Sequence, residues 1–177
     1  MKNKFRIGVV GVGMVGTPLA RYFGEVQGYI RGKELFLFDV NPDKGYADDV
    51  SRASIVFICV PTTRAQDGSC DTSQVNSAVR RLTGSKIIVI KSTVPPGTTE
   101  SFQKKYPKHK FLFNPENLTE RMAWEDFMRP DAQIVGFTGK SKEAAAVVLA
   151  LLPKAPFMSP WGIGTYQRIE ITATEAE

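Results

Sequence analysis

Short apolar runs alternate along this chain with segments whose apolar residues recur at helical spacing, and that alternation predicts a parallel sheet. Phe5 to Val10 predicts a first strand. Val15, Leu19, Tyr22, Phe23 and Val26 then follow a helical period, with Pro18 in the first turn, where its missing N–H costs little. Further strands are predicted at Glu34 to Phe38, Ser54 to Val60 and Lys86 to Lys91, with helices at Thr72 to Leu82 and from Thr98. The last third predicts a strand at Phe111 to Phe113, a helix at Pro115 to Met128, a strand at Gln133 to Phe137 and a helix at Lys142 to Leu152. The strands are almost continuously apolar, as expected when helices cover both faces. No internal repeat or low-complexity tract is present; Arg64 to Ser69 is a polar loop, and Pro153 to Gly164 is rich in Pro and Gly.

Directly after the first predicted strand stands GVGMVG, from Gly11 to Gly16. Gly11 permits a tight turn out of the strand, Gly13 lets backbone N–H groups approach a pyrophosphate, and Gly16 lets the next helix pack on the sheet. With Met14 and Val15 between them, the loop opens a helix whose unpaired N–H groups and positive dipole end attract phosphate. The fold expected is therefore a Rossmann-type, doubly wound α/β sheet, and the ligand expected is NAD. The second predicted strand ends at Asp39, 23 positions after Gly16, which suits a carboxylate that accepts hydrogen bonds from the adenosine ribose and repels a 2′-phosphate. Without the glycines, Asp39 would read as a solvated acid at a strand end. Lys44 fits two places equally: beside the ribose or phosphates, or on the surface of a turn after Asn41-Pro42.

The 177 residues, 42% of them apolar, suffice for one domain spanning residues 1–177 that buries roughly 70% of its unfolded surface. No apolar run reaches the length of a transmembrane helix, and Met1 to Phe5 leads into the first strand with no cleavable signal, so a cytoplasmic location and no membrane association are expected. Cys59 and Cys70 lack zinc-ligand spacing and form no disulfide framework; Cys59 reads as a core residue. His109 has no His or Cys nearby, so no metal site is expected. The formal charge of +5 is concentrated in part between Gln103 and Lys110, at a predicted helix end where cations complement the dipole. No nucleic-acid module surrounds that patch, and its field would also attract an anionic dinucleotide or nucleotide-sugar.

Ligands of open parallel sheets lie beyond the carboxyl ends of the strands, and three loops there carry unusual chemistry. Val60-Pro61-Thr62-Thr63 stiffens one strand exit and presents a hydroxyl. Lys91 to Thr99 holds Ser92 and Thr93 ahead of a Pro-Pro-Gly turn; helix capping accounts for Thr98 but not for Thr93, which reads as a ligand residue. In the third loop, Asn114 as cap and Pro115 at the first helical position would set Glu116 and Glu120 on one helical face. They would serve either as ordinary first-turn acids or as a pair orienting water near a reacting carbon; spacing alone leaves both open.

Taken together, GVGMVG, Asp39 with Lys44, VPT at Val60 to Thr62, KSTVPPGTT at Lys91 to Thr99 and NPENLTE at Asn114 to Glu120 resemble the UDP-glucose/GDP-mannose 6-dehydrogenase family, in its N-terminal half. That resemblance implies oxidation of the C6 alcohol of a nucleotide-sugar to a uronic acid with two NAD, through an aldehyde and a cysteine-bound thioester. It implies NAD contacts at Val60, Pro61, Thr62 and Thr93, a catalytic water near Thr93 positioned by Glu116, and Glu120 on the nicotinamide side. Asn117-Leu118-Thr119 replaces the family's usual Phe-Leu-Arg, and Thr63 replaces a second proline. The family's nucleophilic cysteine and its central-helix lysine and asparagine have no counterpart here, while Thr172 to Glu177 resembles the start of its interdomain helix. The expectation is an NAD-binding domain that is incomplete by itself, monomeric or weakly dimeric. A non-catalytic NAD-sensing or partner-binding module is the alternative, and a small hydroxyacid-type dehydrogenase ranks behind both. Asn117 also opens a glycosylation sequon, read as accidental.

Overall fold

Every expected apolar run through Phe113 forms a strand. β1 (Ile7–Val10), β2 (Leu35–Phe38), β3 (Ile55–Ile58), β4 (Ile87–Ile90) and β5 (Lys110–Phe113) lie parallel in the order β2-β1-β3-β4-β5. Ile7 stands opposite both Leu35 and Ile55, so β1 is flanked by the strands that follow it. The chain runs outward from β1 to β2 and then returns to build β3, β4 and β5 on the other side, which opens a crevice beyond the ends of β1 and β3. This computed structural model describes residues 4–116, 118–159 and 170–177. Residues 1–3, Asn117 of the sequon and 160–164 of the Pro- and Gly-rich stretch lie outside the described residues.

Alternating strand side chains feed two core layers. On one face Ile7, Val9, Ile55 and Phe57 pack with α1 (Gly16–Arg21), α4 (Ala123–Met128) and α5 (Lys142–Leu151). On the other, Phe36, Val56, Ile58 and Ile88 pack with α2 (Ser73–Arg80), α3 (Thr98–Lys105) and α6 (Ala173–Ala176). Helices cover both faces, and the fold is the mostly parallel Rossmann-like sheet that the pattern predicts. Helix α1 continues as a π-turn, Tyr22–Val26, which drives Phe23 against the rings of Tyr22, Tyr29 and Phe57. The link from β2 to β3 carries two 3₁₀ turns, Pro42–Lys44 and Val50–Arg52.

Five expectations are corrected. The strand expected from Gln133 to Phe137 is two. β6 (Ala132–Ile134) pairs with β8 (Phe157–Ser159) in a small separate sheet, and β7 (Gly136–Phe137) runs antiparallel along β5 as the sheet's far edge. The helix expected from Pro115 begins only with a 3₁₀ turn at Glu120–Met122 and becomes α4 at Ala123. Asn114 does not cap it, because its amide donates to the Ile134 carbonyl and its oxygen accepts from Lys91; Asp126 instead accepts from the N–H and hydroxyl of Thr119. Glu116 and Glu120 therefore share no helical face. Thr98 is likewise no cap, since its hydroxyl turns back to the Pro95 carbonyl. The start of α3 is held by Glu177, whose carboxylate accepts from the N–H groups of Gly97 (2.6 Å) and Thr99 (2.7 Å).

Candidate cofactor-binding site

A cleft of about 550 Å³ opens at the crevice beyond β1 and β3. Its floor is the glycine loop, where three glycines meet three different demands. Gly11 has φ +88°, and an added Cβ would sit 2.6 Å from the Cys59 carbonyl oxygen; a Cβ on Gly16 would overlap the Gly11 carbonyl. Gly13 has nothing within 4 Å of the position a Cβ would take, although it lines the cleft with Gly11, Met14 and Val15. Open space at Gly13 beside a helix start is what a pyrophosphate needs to reach backbone N–H groups. The residues present thus fit a dinucleotide.

Asp39 ends β2 at one side of the cleft. Its carboxylate accepts from the Val12 N–H (2.8 Å), the Asn41 N–H (2.9 Å) and Lys44 Nζ (2.9 Å), and Lys44 also donates to the Val12 carbonyl. Lys44 is therefore a tie between β2's exit and the glycine loop. Burial works to raise the Asp39 carboxyl, but the hydrogen bonds from Lys44, Asn41 and Val12, with the Lys44 charge, outweigh it and hold it below the ordinary aspartate range.

Val60, Pro61, Thr62 and Thr93 line the middle of the same cleft. The Thr62 hydroxyl donates to the Thr93 carbonyl at 2.6 Å and the Ser92 hydroxyl to the Val60 carbonyl at 2.6 Å, so two loops expected to act together are bonded to each other. Glu116 lines the same cleft and pairs with Lys91 just past β4, whereas Asp39 follows β2, so the strands β1 and β3 lie between the two exits. Gly16 lies beneath the loop rather than in the wall, and Glu120 is exposed in an adjoining groove of about 470 Å³ that Gly13 and Met14 share. The structure therefore brings together the predicted residues from Gly11 to Glu116 and sets Glu120 apart.

Several lining residues escaped the sequence reading. Gln74, Ser77 and Ala78 present one face of α2 to the cleft, with Arg81 just past its end, and their spacing on a helix that follows a strand exit was the available signal. Lys91 is 4% exposed yet lines the wall, with its Nζ 2.7 Å from Glu116 Oε2 and 2.8 Å from Asn114 Oδ1. A charge at the end of an apolar strand marked it. Cys59 lies just past β3 rather than inside it; burial pushes its thiol up to about 12.

A glycine-loop cleft at the switch point of a parallel sheet defines an α/β dinucleotide-binding domain. Residues 39–151 match the model of the UDP-glucose/GDP-mannose dehydrogenase family, NAD binding domain. The chain belongs to that family, and NAD is its cofactor. It is 36% identical over 107 residues to the UDP-glucose 6-dehydrogenase of Rickettsia typhi, covering 56% of this chain and 25% of that protein. It is 29% identical to TuaD, a UDP-glucose 6-dehydrogenase of Bacillus subtilis, over 88% of this chain and 41% of the relative. Among solved structures, a GDP-mannose dehydrogenase of Pseudomonas aeruginosa superposes with a TM-score of 0.73 at 19% identity, over 97% of this chain and 47% of that one. A UDP-glucose dehydrogenase of Pyrobaculum islandicum gives 0.72 at 25% identity, over 98% and 48%. The chain thus spans less than half the length of these relatives. No helix among the described residues is long and apolar enough to cross a membrane.

Proposed function

We propose that this chain is the NAD-binding portion, one domain over residues 1–177, of a nucleotide-sugar 6-dehydrogenase acting on a UDP-sugar or a similar C6 alcohol. The observation that carries the reading is the convergence, on one cleft, of the open Gly13 cradle, the Asp39 carboxylate, the bonded loops of Thr62 and Thr93, and the Glu116 carboxylate. In this reading Gly11, Gly13, Met14 and Val15 hold the diphosphate, with Gly16 supporting the turn, and Asp39 with Lys44 takes the adenosine ribose. Val60, Pro61, Thr62 and Thr93 flank the nicotinamide half. Bound NAD supplies a hydride acceptor. Glu116 orients water and substrate hydroxyl groups beside Thr93; a nicotinamide contact for Glu120 rests on the family resemblance alone, since Glu120 lines the adjoining groove with Gly13 and Met14.

The chain by itself does not complete the oxidation to an acid, because that step needs a thiolate to trap the aldehyde. The Cys59 thiol stays protonated at neutral pH, and the Cys70 thiol donates to the Thr93 carbonyl at 3.7 Å in the loop before α2. Calorimetry is expected to show NAD binding, with NADP at least tenfold weaker because the Asp39 carboxylate can only accept hydrogen bonds, which suits a ribose hydroxyl and not a phosphate oxygen. Asp39→Asn should narrow that gap. Absence of NAD binding would refute the assignment, and steady NADH production from a UDP-sugar by this chain would refute its incompleteness. Light scattering is expected to find a monomer or weak dimer.

A further inference from the structure

At the exit of β4, on the opposite side of β1 and β3 from Asp39, the cleft is lined by a buried pair of opposite charges. Lys91 and Glu116 are in contact at 2.7 Å, their side chains only 3% and 14% exposed. Two charges taken out of water are costly unless each finds a partner of good geometry. Here the lysine hydrogen-bonds Asn114 Oδ1, and Asn114 is pinned in turn by the Ile134 carbonyl, so the ammonium has a fixed position, while Glu116 Oε2 accepts no hydrogen bond and is held by the charge contact alone. The pair, with Leu118, also lines both the cleft and an adjoining polar cavity of about 310 Å³. The oxidised nicotinamide ring carries a positive charge and the reduced ring none. A bare charge at this end of the cleft would therefore tell the two forms apart, whereas a neutralised pair would not.

We propose that Lys91 is a positioning residue that neutralises and orients Glu116 at the nicotinamide end, and thereby sets the relative affinity of the domain for the oxidised and reduced dinucleotide. The inference rests on the reading that the dinucleotide runs along the cleft from Asp39 to Glu116. Removing the lysine alone leaves a carboxylate that attracts the oxidised ring; removing the carboxylate charge alone leaves an ammonium that repels it. The two changes therefore move the preference in opposite directions. Loss of packing or of local order would move both the same way.

The test measures dissociation constants of this chain for NAD⁺ by calorimetry and for NADH by its fluorescence. The ratio of the NADH constant to the NAD⁺ constant is expected to rise about tenfold in Lys91→Met and to fall about tenfold in Glu116→Gln, for one charge at reduced dielectric. The double variant is expected to return near the starting ratio. Should Lys91→Met fail to fold, the sign of the Glu116→Gln shift alone decides. Unchanged ratios, or shifts of the same sign in both single variants, with binding retained, would overturn the inference and leave the NAD reading standing. A wild-type chain that binds neither dinucleotide would overturn both.

Discussion

Two glycines three residues apart in one loop face opposite constraints, and alanine at each separates folding from binding. At Gly13 a methyl group meets only the open cleft, so Gly13→Ala is expected to keep the thermal midpoint of the parent. The same methyl occupies the phosphate approach, and NAD affinity should fall about 10- to 100-fold, the equivalent of an overpacked contact of about 1–3 kcal/mol. At Gly16 the methyl would overlap the Gly11 carbonyl beneath the loop, so Gly16→Ala is expected to lower stability itself by at least about 1–3 kcal/mol. Paired denaturation and NAD titration of the two variants checks this, and loss of stability in Gly13→Ala would contradict it. Local spacing made these glycines and Asp39 readable from sequence, because turn, strand and helix are consecutive there. Lys91 was readable only as a charge at a strand end: its partners Glu116 and Asn114 come from a distant loop, and only tertiary pairing turns a strand-end lysine into a buried ion pair.

At the scale of elements, the strands β1 to β5 followed from their apolar runs, since a strand buried on both faces has little else to specify it. The misread stretches are those where a side chain is claimed by a remote backbone group. Asn114 fits a helix cap by local rules, yet the Ile134 carbonyl and Lys91 take it, and the helix starts later. Thr98 loses its capping role to Glu177, which is some eighty residues away in sequence. Segment α6 reaches that position because Gly136 admits it: a Cβ there would lie 2.7 Å from the Ala176 Cβ and 2.8 Å from the Thr172 carbonyl oxygen. Thr172 and Glu175 close a capping box, and Ala173 is fully buried. Glu177→Ala should therefore cost about 0.5–2 kcal/mol, the range for a lost cap, and should speed hydrogen exchange at the Gly97 and Thr99 amides. Gly136→Ala should do both by lifting α6 off the sheet edge. Unchanged exchange at Gly97 in either variant would show that the cap does not hold that turn.

Across the whole molecule, acid stability hinges on His109, the only histidine in the sequence. Its ring is buried beside Tyr106 and Phe111, with Nδ1 lacking a hydrogen-bond partner. Burial, then the charges of Lys108 and Lys86, hold its proton affinity below the ordinary value of 6.5. The unfolded chain thus takes up a proton that the folded chain refuses. The stability gained by keeping the ring neutral is whole above pH 6.5 and is lost progressively as pH falls through that value, by up to about 1.4 kcal/mol per pH unit for one proton. Asp39, and Asp48, where burial is outweighed by Arg31 and the Leu37 N–H, add their own loss only as pH falls below the ordinary 3.8. No other imidazole titrates between, so the urea midpoint of the parent chain is expected to drop from pH 7.5 to pH 5.5 while that of His109→Leu stays nearly level. Equal slopes in the two proteins would place the acid sensitivity elsewhere and show that the ring is protonated as easily in the fold as outside it.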